Sequence, residues 1–404
     1  MKNILIYIND SLGELDWIAP FMKSQEAKNF NFHIFLNGPG NSYKKKLDII
    51  KQYGLNKKNI ILINSKSDID VYVYKVDVFL NRVLGRSKRY SFLLFQILRT
   101  IFDKIRGIFP YIFFRTSISY DFIFRDYNLK DSFMLKKYER NSKKTKNVIF
   151  PHAVGLSRMH PSCPREPIKE VACDLWLENS ELSDIVKKHA SYKDVFFASG
   201  APIFDVNYKL DSLFNTDIKK VLIITRDCNP MFGFNYGDAY NVFEKLLSSL
   251  NDMKYTVLIK HHPRDKRLSK WRNIQNKYKN TIEYEESLNN MDEPLSACFT
   301  LFSTAPLLLL SRQIPIFDIS PYRTYKSYKK SLPFHYSAKN GVLTHDLIEL
   351  KLYERLDDLE DLGKYMHQHV LEKLSFLQYS KCKEIFPDGA NLKIANKLLE
   401  VRGE

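Results

Sequence analysis

Two short apolar runs that end in polar residues lie in the segment from Tyr255 to Ser320. The first reads YTVLIKHHPRDKR (255–267), and the second reads CFTLFSTAPLLLLSRQIPIFDIS (298–320). Each run predicts a buried strand, and in open α/β sheets ligands bind beyond the carboxyl ends of the strands. One strand end carries cations and imidazoles, and the other carries hydroxyls before a helix-like leucine cluster. This combination predicts a site for a phosphate ester, as an activated nucleotide-linked donor would offer.

The same strand–helix alternation extends in both directions and predicts two α/β domains. At 404 residues the chain exceeds one ordinary core. We predict an N-terminal Rossmann-like domain over 1–205, a polar linker over 205–217, and a C-terminal Rossmann-like domain over 217–404. Helices are expected to close the chain from about Thr344. The predicted strands are Ile4–Ile8, Phe32–Leu36, Ile60–Ile63, Val148–Phe150, Asp174–Leu177, Val195–Ala198, Lys220–Thr225, Tyr255–Lys260, Thr281–Tyr284, Phe299–Phe302 and Ile314–Ile319.

The composition excludes several classes of protein. There are 62 Lys and Arg against 46 Asp and Glu, a formal net charge of +16. Such an excess fits anionic substrates or an anionic membrane surface, whereas no zinc finger or helix-turn-helix pattern supports a nucleic-acid partner. The five cysteines form no CxxC pair and indicate free thiols in a reducing compartment. The start MKNILIYIND is too short an apolar run for a signal peptide, so we expect a cytoplasmic protein.

An aromatic and basic segment over about 79–147 interrupts the first alternation and is predicted to be an insertion. Between Arg82 and Arg115 lie eight basic residues and one acidic residue, a local net charge of +7. Apolar residues here recur at helical spacing: Leu94, Leu98, Ile101, Ile105 and Ile108. A basic amphipathic helix fits the surface of a membrane, here the cytoplasmic face of the inner membrane. The alternative is a helix packed on the first domain with solvated charges.

The KHHPR loop supplies the first candidate ligands for a nucleotide donor. Lys260 and His262 alternate to one face of an extended chain, while His261 points to the other. Pro263 ends the strand geometry, and Arg264 adds a second cation. These groups can bind the nucleotide phosphate and stabilise the charge that develops on the leaving nucleotide. The alternative is an ordinary His-Pro turn at a domain surface.

Hydroxyl groups and one more cation complete the expected donor side. Ser303 and Thr304 follow the second strand, where hydroxyls and backbone N–H groups can bind phosphate. Helix capping is the alternative role for these two residues. Arg226 follows the strand Val221–Thr225, so its cation is expected at the same edge of the sheet.

Candidates for the general base lie in the first domain. The strand Val148–Phe150 ends in Pro-His, so His152 is expected to face the cleft and to deprotonate an acceptor hydroxyl. Asp10 and Glu14 follow the first strand and are competing candidates. The alternative roles are a structural histidine and a helix-capping box formed by Ser11 and Glu14.

Familiar cofactor and metal signatures are missing from the sequence. It contains no Walker A loop, no GxGxxG after a strand, no GxSxG elbow and no HExxH. It also lacks a DxD-type cluster at a strand end and a set of cysteine ligands. We therefore expect a reaction that needs neither a metal ion nor another cofactor.

With these motifs, the chain resembles the GT-B enzymes of bacterial surface polysaccharide synthesis. That group includes HP-motif capsule and lipopolysaccharide transferases of the sialyl and Kdo type, which use CMP-sugars, and CDP-glycerol polyol-phosphate transferases. The resemblance covers roughly 148–320 and rests on five segments in order: FPHAVG (150–155), DLWLENSE (174–181), GAPIFD (200–205), IKHHPRD (259–265) and FSTAPLLLL…IPIFD (302–318).

The resemblance implies roles for particular residues. His262 and Pro263 take the place of the HP motif that holds the nucleotide phosphate, Ser303 and Thr304 that of the Ser/Thr motif, and His152 that of the first-domain histidine. Two departures concern the donor and the base. Ala153 stands where the polyol-phosphate enzymes have glycine, and the acidic motif of the sialyltransferases has only a loose counterpart between Asp10 and Glu14.

The sequence thus predicts a metal-independent glycosyltransferase with two Rossmann-like domains facing a cleft. Its expected donor is a nucleotide sugar, with a CMP-linked ulosonic acid favoured. Its expected acceptor is a capsule or lipopolysaccharide glycan, free or lipid-linked. A polyol-phosphate transferase that uses a CDP-polyol and a non-catalytic, membrane-associated scaffold are the alternatives.

Overall fold

The computed structural model of the chain shows two parallel sheets flanked by helices. It describes residues 1–8, 13–36, 46–48, 50–55, 60–63, 119–126, 145–151, 154–156, 173–183, 194–226, 235–262, 265, 267–301, 303–321, 336–339 and 342–403. No helix within these ranges is both long and apolar enough to cross a membrane.

The first sheet contains seven parallel strands in the order β3-β2-β1-β4-β5-β6-β7. Their bounds are Lys2–Ile8 (β1), Phe30–Leu36 (β2), Ile60–Ile63 (β3), Phe122–Asp126 (β4), Lys146–Phe150 (β5), Leu175–Glu178 (β6) and Phe196–Ala198 (β7). The inner strands with described side chains read as nearly continuous buried apolar runs, as expected for a sheet covered on both faces, whereas the edge strand β7 is half-buried.

The second sheet repeats the topology of the first. Its parallel strands have the order β10-β9-β8-β11-β12-β15. Their bounds are Lys220–Ile224 (β8), Thr256–Lys260 (β9), Thr281–Glu283 (β10), Ala297–Thr300 (β11), Ile316–Asp318 (β12) and Glu354–Arg355 (β15). In both sheets the order runs outward from the first strand and then reverses, which is the Rossmann arrangement. The predicted pair of Rossmann-like domains is therefore confirmed.

Helices connect these strands and close the chain. Their bounds are Gly13–Lys23 (α1), Pro202–Asn207 (α2), Tyr236–Asp252 (α3), Leu268–Gln275 (α4), Leu307–Leu310 (α5), Asp346–Glu349 (α6), Leu362–Tyr365 (α7), Gln368–Ile385 (α8) and Ala390–Gly403 (α9). The predicted helical end of the chain is observed, except that β15 adds an edge strand within it. An antiparallel hairpin, Tyr336–Lys339 (β13) and Val342–His345 (β14), precedes α6.

Strand β4 corrects one sequence-based expectation. Phe122–Asp126 fall inside the segment 79–147, which was expected to be an insertion. The strand instead lies at the centre of the first sheet, between β1 and β5. Its three apolar residues closely resemble the aromatic run before them, so composition alone did not distinguish a core strand. The basic stretch 82–115 lies outside the described residues.

A continuous apolar core joins the two domains. Side chains of the first sheet such as Ile4 and Phe150 belong to the same cluster of buried residues as Leu222 and Leu258 of the second sheet. The last helix also returns toward the first domain. Asp205 in the expected linker accepts hydrogen bonds from the backbone N–H groups of Ala390 (3.0 Å) and Asn391 (2.8 Å), at the start of α9. Both contacts tie the C-terminal helices to the linker.

A second link between the domains is a short relay of hydrogen bonds. Asn289 of the second domain donates its amide N–H to the Tyr53 hydroxyl oxygen at 2.5 Å, and Tyr53 donates its O–H to Asp16 at 3.0 Å. Burial raises the pKa of Asp16 to about 6, and the hydrogen bond from Tyr53 opposes that rise. The carboxylate on α1 is therefore held in an environment that disfavours its charge.

Replacing Asp16 by asparagine is expected to stabilise the protein at neutral pH. The unfolded carboxyl group ionises near pH 4 and the folded one near pH 6, so the folded state binds more protons between these values. Stability from this group is full below about pH 4 and falls as pH rises to 6. At pH 7.5 the variant should be more stable by about 2 kcal/mol, allowing for partial exposure of the side chain.

Thermal unfolding of both proteins between pH 4 and pH 8 measures this difference. The gap in melting temperature should shrink as pH falls and disappear near pH 4. A gap that stays constant with pH would show that the carboxylate is not the cause.

Candidate functional site

The carboxyl edge of the second sheet brings the predicted donor-side segments together. The strand register aligns Lys260 with Ile224, Ile224 with Thr300, and Thr300 with Asp318. Backbone hydrogen bonds continue this alignment into the loops, from Thr225 N–H to the Lys260 carbonyl at 3.0 Å. The strand order reverses between β8 and β11, and ligands of such sheets bind at that reversal. The loops after β8, β9 and β11 therefore surround one candidate site.

His261 has a structural role at this edge. Its Nδ1 lies 3.2 Å from Oγ1 of Thr225, and its Nε2 lies 3.1 Å from Oε1 of Gln275. Because the glutamine oxygen can only accept, Nε2 carries the proton and Nδ1 accepts from the threonine hydroxyl. Burial lowers the pKa of His261, which keeps the ring neutral. Both ring nitrogens are thus used to connect β9 with β8 and α4.

His262 is the imidazole of this loop for which the sequence predicts a role in donor binding. Side chains alternate along an extended chain, which predicts that His262 points away from the side that His261 occupies. The residue is half-buried, and its carbonyl oxygen accepts a hydrogen bond from Asp265 N–H at 3.0 Å. The neighbouring Pro263 and Arg264 lie outside the described residues. His262 therefore stays the leading donor-side candidate of this loop.

Lys260 is directed toward the neighbouring edge strand. Its ammonium group donates to the backbone carbonyl of Glu286 and lies 5.3 Å from the centre of the Tyr284 ring. Burial lowers the pKa of Lys260, while the nearby carboxylates of Glu285 and Glu286 act in the opposite direction. The lysine thus connects the end of β9 with the segment after β10. A role in phosphate binding requires its ammonium group to leave the Glu286 carbonyl.

Ser303 and Thr304 lie in the loop between β11 and α5. Ser303 is 7% exposed, and its hydroxyl oxygen accepts a hydrogen bond from Ala305 N–H at 3.2 Å. Tyr353 donates its hydroxyl hydrogen bond to the Ser303 carbonyl at 2.9 Å, which holds the backbone of this loop in place. Thr304 is more exposed. The helix starts only at Leu307 and is one turn long, so its N-terminus adds little field.

Arg226 is the remaining donor-side candidate that the structure describes. It follows Thr225 after strand β8 and is half-buried. Its position after β8 lies at the same edge of the sheet as the loops that carry His262 and Ser303. Its role in donor binding stays a prediction.

The loop after β5 in the first domain approaches this edge. A methyl group added at Gly155 would lie 3.7 Å from Cγ2 of Thr304. The Gly155 carbonyl accepts a hydrogen bond from the side-chain amide of Asn179 at 2.7 Å, and Asn179 in turn accepts from the Trp17 indole N–H at 2.6 Å. Trp17, Asn179 and the end of β5 thus hold the first-domain loop against the second domain.

Glu14 is the one candidate base of the first domain that lies within the described residues. It lies in the first turn of α1, is 1% exposed, and precedes Trp17 by three residues on the same face of the helix. Glu14 therefore shares a helix face with Trp17, whose indole begins the bonded network that ends at Gly155. The other candidate bases, Asp10 and His152, lie outside the described residues.

Sequence patterns did not single out Trp17, Asn179 or Tyr353. Asn179 lies within the segment DLWLENSE that supports the resemblance, but its partner Trp17 is 162 residues away in sequence. Among the described residues, no group of three or more histidine, cysteine, aspartate or glutamate side chains could hold a metal ion.

Known families and structures share parts of this architecture. Residues 132–297 match the family model of alpha-2,8-polysialyltransferases (POLYST). No curated protein matches the chain in sequence. An MnaA–UDP co-structure from S. aureus matches with a TM-score of 0.57 and 14% identity, covering 100% of this chain and 98% of that one. CalG4, the calicheamicin glycosyltransferase, matches at 0.51 and 12%, covering 100% and 98%.

A UDP-GlcNAc 2-epimerase from Methanocaldococcus jannaschii is equally similar, with a TM-score of 0.51 and 11% identity over 98% of this chain and 99% of that one. Identities this low show the fold alone, which is GT-B. The match to a transferase family on this fold supports a nucleotide-sugar-dependent glycosyltransferase of the GT-B type. The predicted fold and enzyme class are thereby confirmed.

Proposed function

We propose that this enzyme transfers an ulosonic acid from a CMP-linked donor to a glycan of a bacterial surface polysaccharide. The observation that carries the proposal is the approach of the loop after β5 to the loop after β11, at Gly155 and Thr304. A glycosyl transfer needs an acceptor-side base and a donor phosphate site that face each other across a cleft. The matched family, named for α-2,8-linked polysialic acid, favours an ulosonic donor.

The proposed reaction assigns a separate task to each side of the cleft. An acceptor hydroxyl attacks the anomeric carbon, the bond from that carbon to the phosphate oxygen breaks, and CMP leaves with the bonding electrons. His262, Ser303 and Thr304 would bind the phosphate, and His262 would stabilise the charge that develops on it. Arg226, Lys260, Pro263 and Arg264 are proposed to complete this donor side. Glu14, Asp10 or His152 would take the proton of the acceptor hydroxyl.

The proposed location follows from the expected acceptor. A lipid-linked or growing capsule or lipopolysaccharide glycan is presented at the cytoplasmic face of the inner membrane. The basic segment 82–115 is proposed to contact anionic lipid there, with about 1 kcal/mol for each cation near the surface. A polyol-phosphate transferase would bind its donor at the same sheet edge. There the acceptor hydroxyl would attack the phosphorus atom instead of the anomeric carbon, and CMP would again be released.

Nucleotide protection is the experiment that tests the donor. Thermal unfolding is measured with CMP, CDP, UDP and GDP, each with wild type and with His262→Ala. A ligand that binds only the folded state stabilises it by about 2.7 kcal/mol at a hundredfold excess over Kd. We expect a rise in Tm with CMP or CDP that is lost in the variant.

Each other outcome has a distinct meaning. A shift with UDP or GDP alone would keep the GT-B fold and the enzyme class but reject the CMP-linked donor. No shift with any nucleotide would reject the proposal and favour a scaffold. Slow hydrolysis of a CMP-ulosonic donor without acceptor would further separate an enzyme from a scaffold, because a scaffold turns over no donor.

A further inference from the structure

The loop that carries His262 is anchored through the carboxylate of Asp265. One oxygen of this carboxylate, Oδ1, accepts the Tyr236 hydroxyl at 3.0 Å and the Arg267 backbone N–H at 2.8 Å. The other, Oδ2, accepts the Trp271 indole N–H at 2.6 Å. Three donors therefore converge on a single side chain. One belongs to α3, one to α4, and one to the loop between β9 and α4.

The anchor extends from the core of the second domain to His262. Trp271 is fully buried and packs edge-on against the rings of Tyr240 and Phe243, with centroids 4.6 Å and 5.0 Å away. On the other side, the backbone N–H of Asp265 donates to the His262 carbonyl at 3.0 Å. A rigid aromatic core is thus joined to the loop through two successive hydrogen bonds.

Two cations near this anchor, among the residues that the structure describes, do not replace these bonds. The guanidinium group of Arg267 lies 4.4 Å from the centre of the Tyr236 ring, which leaves the Tyr236 hydroxyl directed to Asp265. Lys270 lies over the ring of Tyr240 at 4.6 Å. Both cations therefore rest on the aromatic rings, and the Asp265 carboxylate is occupied by neutral donors.

We propose that Asp265 is a positioning residue that fixes His262 for binding the donor phosphate. Its oxygens are occupied by α3, α4 and the loop backbone, so the residue acts through His262 and not on the ligand. Rigid support of this kind lowers the entropy that a loop loses when it binds a ligand. The inference rests on the proposed function. It predicts that loss of the Asp265 carboxylate weakens the binding only of ligands that carry a phosphate.

The test compares CMP with cytidine in wild type and in Asp265→Asn. The asparagine side chain keeps one oxygen that can accept a hydrogen bond. Its NH₂ group replaces the other oxygen, so at least one of the donors that Asp265 satisfies loses its acceptor. Calorimetry should show that the Kd for CMP rises about tenfold, which corresponds to the loss of about one hydrogen bond. The Kd for cytidine should change little. Tyr236→Phe removes one donor and should give a smaller loss of the same kind.

A control variant separates positioning from general destabilisation. Asn280 donates its side-chain amide to the Tyr255 carbonyl at 2.7 Å, at the opposite edge of the same sheet. Asn280→Ala should lower Tm without changing either Kd. In a kinetic assay, Asp265→Asn should raise the donor KM more than it lowers kcat.

The outcomes distinguish the inference from the function beneath it. Equal losses for CMP and cytidine, or an unchanged CMP affinity in both Asp265→Asn and Tyr236→Phe, would overturn the positioning role alone. If wild type binds UDP and not CMP, the same comparison is made with UDP and uridine. If wild type binds no nucleotide, the proposed function fails, and the inference falls with it.

Discussion

Replacing His262 by alanine is expected to lower kcat/KM for the sugar donor by about 100- to 1,000-fold, the loss typical of removing one group that stabilises developing charge. The residue follows the end of β9 at Lys260, and β9 neighbours the paired strands β8 and β11, between which the strand order reverses. Its neighbour His261 has both ring nitrogens engaged by Thr225 and Gln275. The measurement is steady-state release of CMP from a CMP-ulosonic donor in the presence of a glycan acceptor.

The adjacent histidine supplies a matched control. His261→Asn should lower Tm, because Thr225 and Gln275 are buried and lose a partner, which costs about 1–3 kcal/mol for each group. Activity per folded molecule should nevertheless stay within about threefold of wild type. The reverse pattern, with His262→Ala active and His261→Asn inactive but folded, would contradict the assignment of roles within this loop.

Local patterns predicted the strands that lead to the site. The apolar run before Lys260 gave β9 to within one residue, and the prediction for Ile60–Ile63 matches β3 in full. Such runs are visible because a strand buried on both faces needs consecutive apolar residues. Strand β4 was missed for the same physical reason. Its run Phe122–Phe124 follows a longer aromatic stretch, so apolar character no longer marked the strand.

Long-range pairing accounts for what the sequence could not predict. Alternation separated His261 from His262, but it could not show that Gln275 would hold the first of them. The contact of Trp17 with Asn179 joins residues from opposite ends of the first domain and has no local pattern. Lys260 was expected at the donor phosphate, and its ammonium group lies instead against the Glu286 carbonyl. Its role in donor binding stays a prediction.

Replacing Glu14 by glutamine is expected to lower kcat by about 100-fold or more, as removal of a general base does. Glu14 is buried in the first turn of α1, three residues before Trp17, whose indole begins the bonded path to Gly155. Glutamine keeps the size of the side chain but cannot take a proton. Because Glu14 belongs to the acceptor side, the thermal shift produced by CMP should be unchanged.

Asp16→Asn is the control on the same helix. It removes a carboxylate half a turn further along α1 that points to Tyr53 and not to the loop at Gly155, so activity should be retained while stability at neutral pH rises. An active Glu14→Gln protein would reject Glu14 as the base, and loss of activity in His152→Ala or Asp10→Asn would then identify the replacement. Since a general base must be deprotonated to act, its loss should also abolish the acidic limb of the pH–rate profile. A merely structural change in α1 would leave that limb in place.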